Sequence, residues 1–124
     1  MNRNLRIAIV DDDDSIRKSL RRLLAGSGFA VETFASGPDF LASAAESPPD
    51  FVVLDMHMPG LNGLELQSSL ADAGFRIPLL FITAHDDPAM RAKALAGGAI
   101  GYLAKPVHRD LLLKVLRTVP GGES

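Results

Sequence analysis

The 124-residue chain contains no cysteine, which excludes disulfides, thiolate metal centres and cysteine nucleophiles together. Aromatic residues are scarce at 6%, and the 13 Lys and Arg residues do not outnumber the 15 Asp and Glu. A nucleic-acid surface normally carries a basic excess interleaved with aromatics, so direct DNA or RNA binding by this chain is not expected. No apolar run approaches the roughly 18 residues of a membrane span, and no signal-type apolar region follows the first residues. Internal repeats and low-complexity stretches are also missing. A cytoplasmic location is the expectation, with no membrane partner.

What is present suits one compact domain: 47% hydrophobic residues, 23% charged, and a net charge of −2. Five short apolar runs, at 5–10, 30–34, 51–54, 79–82 and 100–103, read as strands. The third and fourth are continuously apolar, as in a parallel sheet covered on both faces. Helical patterns lie between and after them. Residues 15–25 place Ile16, Leu20, Leu23 and Leu24 on one face and turn Arg17, Lys18, Arg21 and Arg22 outward. A second helix starts near Pro38 and ends before Pro48. Three more are expected at 63–73, 88–96 and 107–119, the first two stopped by glycines and the last by Pro120-Gly121-Gly122. Five βα units predict an α/β fold, a doubly wound (βα)5 flavodoxin-like three-layer sandwich around a five-stranded parallel sheet. The domain is expected over 1–119, with 120–124 a C-terminal tail or the start of a linker.

In such sheets ligands bind beyond the carboxyl ends of the strands. Strand one runs into Asp11-Asp12-Asp13-Asp14, strand three into Asp55, strand four into Thr83, and strand five into Ala104-Lys105-Pro106. Each has an ordinary reading alone: a turn former or helix cap, a strand threonine, a solvated lysine. Their convergence on one edge does not. Clustered carboxylates repel, by about 4 kcal/mol for a pair roughly 4 Å apart at an effective dielectric near 20. A hard divalent cation relieves that, and oxygen-only ligands favour Mg²⁺ over Zn²⁺. A carboxylate beside a metal, an ammonium and a hydroxyl can attack a phosphoryl donor and become an aspartyl phosphate.

These residues resemble the receiver domain of bacterial two-component response regulators over nearly the full length of the chain. Val10-Asp11-Asp12 is similar to its acidic pair, and 54–63 (Leu-Asp-Met-His-Met-Pro-Gly-Leu-Asn-Gly) to its phosphoacceptor stretch. Phe81-Ile82-Thr83-Ala84 is similar to its switch strand, and Lys105-Pro106 to its lysine followed by a cis proline. Residues 82–87 further resemble the FixJ-type subgroup. The resemblance implies that Asp55 is the phosphoacceptor, and that Asp11, Asp12, Asp55 and the backbone carbonyl of His57 hold Mg²⁺. It also implies that Lys105 binds a phosphoryl oxygen, and that Thr83 moves inward while Tyr102 passes from exposed to buried. On this reading the chain is a signalling switch and not an enzyme, catalysing only its own phosphorylation and dephosphorylation. A sensor histidine kinase is the donor, and a homodimer forms through helix four, strand five and helix five. The FixJ-type likeness fits a DNA-binding output domain beyond Ser124 and control of transcription, and a single-domain regulator stays open beside it.

Further expectations attach to single residues. His57 and His85, two residues after Asp55 and Thr83, should flank the mouth of the site. The basic face of helix one is either solvated or a docking surface for the kinase. Gly97, where the family usually has alanine, should loosen the end of helix four. Two competing readings stay open. In a haloacid-dehalogenase-like phosphatase Asp11 of Asp11-x-Asp13-x-Ser15 would be the nucleophile, although no later acidic pair or cap domain accompanies it. In a nucleotide-binding or scaffolding module a glycine-rich loop should follow strand one, and four aspartates stand there instead.

Overall fold

The computed structural model describes residues 5–119. Strands β1 (Arg6–Val10), β2 (Ala30–Phe34), β3 (Phe51–Asp55), β4 (Leu79–Thr83) and β5 (Gly101–Ala104) alternate with helices α1 (Asp14–Gly26), α2 (Gly37–Glu46), α3 (Gly63–Asp72), α4 (Pro88–Ala96) and α5 (Arg109–Leu116). All strand pairings are parallel, in the order β2-β1-β3-β4-β5. The expected doubly wound (βα)5 sandwich is therefore the observed fold.

Alternation along each strand divides the core in two. Ala8, Val10, Val52, Leu54 and Phe81 pack with Phe40 of α2, Leu66 and Leu70 of α3 and Ala94 of α4. Ile7, Ile9, Val53, Leu80 and Ile82 pack with Leu20 and Leu24 of α1 and Leu112 and Leu116 of α5. Both faces of β3 and β4 are covered, which is why every residue of these strands is buried and neither shows polar alternation.

Side-chain bonds and backbone torsions set the element ends. Helix α1 is capped by Asp13, whose carboxylate accepts from the amides of Ser15 (2.8 Å) and Ile16 (3.3 Å). Asp14, the first helical residue, instead pairs with Arg17 (3.2 Å) and Lys18 (2.9 Å). Helix α5 starts at Arg109 and not at residue 107, because His108 is still extended (ψ 132) and acts as the N-cap. Gly97 is the C-cap of α4 and lies outside the helix, so the interior cost expected of it does not apply. Strand β5 begins at Gly101, one residue later than expected. The expected tail at 120–124 lies outside the described residues.

Candidate functional site

Backbone bonds at the carboxyl edge of the sheet fix where each polar side chain emerges. The Asp11 amide donates to the Phe34 carbonyl (3.1 Å), which continues the β1–β2 pairing by one residue. The Asp11 carbonyl accepts from Arg17 Nη1 (2.7 Å), so the turn into α1 is held by the helix it precedes. Asp55 ends β3 opposite Ile82, and the next amide, Met56, donates to the Ile82 carbonyl (2.9 Å). Gly63 then closes the β3–α3 loop by donating to the Met56 carbonyl (3.0 Å). A Cβ at Gly63 would lie 2.8 Å from Phe81 and 2.9 Å from the Asp55 carbonyl oxygen. Only a residue without a side chain lets α3 start this close to the strand. Lys105 is delivered from the far side: its amide donates to the Thr83 carbonyl (2.7 Å), and a cis bond joins it to Pro106.

The result is a nearly dry cluster of charges. Asp11 is 0% exposed and Asp55 3%. Lys105 Nζ sits 2.8 Å from Asp11 Oδ2 and 3.3 Å from Asp55 Oδ1. Burial, and then the neighbouring charge of Asp11, raise Asp55 to about 6 in spite of Lys105 and the His57 amide, which favour its ionised form. Burial alone would lower Lys105. The hydrogen bond to Asp11 and the charges of Asp55 and Asp11 outweigh it, so the ammonium is held above its ordinary range.

One lysine against two buried carboxylates leaves negative charge uncompensated, and the exposed Asp12 adds a third carboxylate. Ligand atoms of Asp11, Asp12 and Asp55 lie within 4.8 Å of one another. Asp11 Oδ1 accepts from the Asp13 amide (2.9 Å), and the buried Oδ2 faces only the Lys105 ammonium (2.8 Å). An all-oxygen donor set with such an atom fits a hard divalent cation such as Mg²⁺.

Thr83 is buried beside this cluster, and its hydroxyl is held by its own loop. Oγ1 donates to the His85 carbonyl (2.8 Å) and accepts from the His85 amide (3.1 Å). The rings of His57 and His85, both exposed, stand edge to face 6.4 Å apart. Tyr102 is already half-buried; its hydroxyl is buried without a partner, and Arg91 lies 5.7 Å above its ring. Asp13 is committed to its cap and Asp14 to two cations, so neither extends the carboxylate cluster. Sequence reasoning missed the contribution of Arg17, read as outward-facing. Its spacing from Asp14 signals the ion pair, but nothing local signals the bond to the Asp11 carbonyl.

Comparison with known proteins agrees with this geometry. The sequence model of the response regulator receiver domain matches residues 7–117. Response regulator MprA of Mycobacterium sp. (strain KMS) is 42% identical over 115 residues, covering 93% of this chain and 50% of that protein. The chain thus spans about half the length of the curated relatives it matches. Among solved structures, a response regulator receiver protein from Burkholderia phymatum is 44% identical with a TM-score of 0.82, covering 95% of this chain and 96% of that one. FixJ-N is 33% identical with a TM-score of 0.86, covering 98% and 95%. Among the described residues no helix is long and apolar enough to cross a membrane. By fold, by the four strand ends and by these likenesses, the chain belongs to the response regulator receiver domains, the phosphoacceptor modules of two-component signalling.

Proposed function

We propose that Asp55 is the residue phosphorylated in this chain. The observation that carries the reading is one buried carboxylate, Asp55, with Lys105 Nζ 3.3 Å from its Oδ1 and two further carboxylates within 4.8 Å. Asp55 attacks the phosphorus of the donor, a new P–O bond forms, and the donor's own bond to phosphorus breaks. With an acyl phosphate the leaving group is a carboxylate. With a kinase phosphohistidine it is an imidazole. Asp11, Asp12, Asp55 and the backbone carbonyl of His57 would hold Mg²⁺, which would supply positive charge to the phosphoryl oxygens. Lys105 neutralises a phosphoryl oxygen, and Thr83 leaves the His85 backbone to donate its hydroxyl to another. Tyr102 then completes its burial beside the vacated space, which couples the phosphoryl group to the surface of α4, β5 and α5.

The chain acts in the cytoplasm, its phosphodonor is a sensor histidine kinase, and phosphorylation promotes homodimerisation through that surface. The unit of function is 1–119, and 120–124 form a C-terminal tail or the start of a linker. The only chemistry assigned to this chain is its own phosphorylation and dephosphorylation.

Intact-protein mass after incubation with acetyl phosphate and Mg²⁺ tests the reading on wild type and Asp55→Asn. One phosphoryl group that is absent without Mg²⁺ and absent in the variant is expected. An adduct that survives in Asp55→Asn and vanishes in Asp11→Asn would mean that Asp11 is the nucleophile, as in the phosphatase reading.

A further inference from the structure

Helix α4 is held very differently at its two ends. Its N-terminal turn is capped by Asp87, whose carboxylate accepts from the amides of Ala89 (3.0 Å) and Met90 (3.3 Å), and Arg91 pairs with Asp86 (3.0 Å). All of these bonds stay within the same loop and helix. Ala94, near the C-terminal end, is the one fully buried residue of α4. Among the described residues, the one side-chain hydrogen bond between α4 and another helix is also made there. Gln67 of α3, 8% exposed among apolar neighbours, donates from Nε2 to the Ala94 carbonyl (3.0 Å).

That carbonyl already accepts from the Ala99 amide (3.0 Å), while the Gly98 amide donates to Leu95 (3.1 Å) and Gly98 has a φ of +101. This is the paired closing pattern of a helix C-terminus, and Gln67 uses the remaining lone pair of its innermost acceptor. Gly97 makes the arrangement possible. Its own backbone (φ −79, ψ 0) suits any residue, so torsion does not demand glycine. Space does: a Cβ there would lie 2.7 Å from Gln67 Oε1 and 2.8 Å from both Cδ and Nε2. The amide of Gln67 occupies the place of the missing side chain.

We propose that Gln67 and Gly97 act as positioning residues that pin the C-terminal end of α4 to α3, so that α4 swings about this end when its N-terminal end is displaced. The displacement enters at Thr83 and His85, which lead through Asp86 and Asp87 into the N-terminal turn of the helix. The inference rests on the phosphoacceptor reading for the source of the motion, but the pin itself does not.

Two linked measurements test it. The first is a double-mutant cycle on unfolding midpoints. Gly97→Ala should lower the midpoint when Gln67 is present and raise it in a Gln67→Ala background, where the methyl group enters vacant space. Additive effects would overturn the pin. The second is residue-resolved amide hydrogen exchange with Mg²⁺, before and after acetyl phosphate, with the adduct verified by mass. In wild type, phosphorylation should change exchange over 84–92 and leave 95–99 unchanged. In Gln67→Ala, exchange at 95–99 should rise about fivefold before phosphorylation, the factor carried by one net hydrogen bond, and should then respond to phosphorylation as well. Gly97→Ala, which displaces the amide without removing it, should reproduce that response. The rate at which the adduct forms should be the same in all three proteins. A wild-type adduct with equal changes at both ends of α4 would overturn the swing alone. Absence of any adduct would overturn the phosphoacceptor reading and the swing with it, and the mutant cycle would still decide the pin.

Discussion

Asp55 carries an energetic cost in the folded chain. A carboxyl raised to about 6 from 3.8 is ionised at neutral pH in surroundings that prefer it protonated. Because the folded value lies above the unfolded one, the stability linked to this group is fully present below about 3.8 and is lost as pH rises through about 6. Asp55→Asn cannot ionise and escapes that loss. In metal-free buffer we expect it to be more stable than wild type by about 3 kcal/mol at pH 7.5, with most of the advantage gone near pH 4. Urea unfolding at the two pH values measures this, and a difference that does not change with pH would contradict it. Asp13 offers the opposite case, a carboxylate spent on architecture. Asp13→Ala should cost about 1 kcal/mol through loss of the α1 cap, while the yield of phosphoryl adduct stays at the wild-type level. The sequence shows four adjacent aspartates without dividing their labour. Their roles separate only where the chain turns: Asp11 faces inward, Asp12 is exposed, Asp13 folds back on the helix and Asp14 faces Lys18.

At the scale of the elements, one substitution has opposite signs at two helix ends. A Cβ at Gly26, in the last turn of α1, would have nothing within 4 Å, whereas at Gly63 it would press on Phe81 and on the backbone of Asp55. Gly26→Ala should therefore stabilise by up to about 1 kcal/mol through helix propensity. Gly63→Ala should destabilise by about 2 kcal/mol through overpacking. Thermal unfolding of the two variants provides the comparison, and a destabilised Gly26→Ala or a neutral Gly63→Ala would refute the respective argument. All ten elements were legible, because the apolar runs of β3 and β4 and the spacing of Leu20, Leu23 and Leu24 on α1 carry strong periodic signals. The start of α5 was not legible. Val107 continues the apolar pattern, but the chain leaving Pro106 is still extended at His108, and side-chain periodicity does not register backbone torsion. The Gln67–Gly97 contact was equally hidden, since 30 positions separate two residues that each look out of place alone.

For the whole molecule, the division of helices between the two faces has functional weight. The side bearing α1 and α5 presents Arg21 and Arg22, both exposed. If a kinase domain docks there, Arg21→Glu with Arg22→Glu should slow phosphotransfer from the kinase by about tenfold through lost electrostatic steering, and should leave the rate with acetyl phosphate unchanged. Equal rates with both donors would make this face merely solvated.

The other consequence concerns β5, which forms one margin of the sheet. It has four residues, Gly101–Ala104, three of them half-buried and one exposed. Since successive residues of a strand direct their backbone groups to opposite sides, so short a margin offers a neighbouring chain only about two residues' worth of outward N–H and C=O groups. Pairing of strands across this edge cannot produce a permanent seam. Two copies meeting here in the proposed homodimer would therefore rely on side chains of α4, β5 and α5, and an assembly of that kind would come apart as readily as it forms.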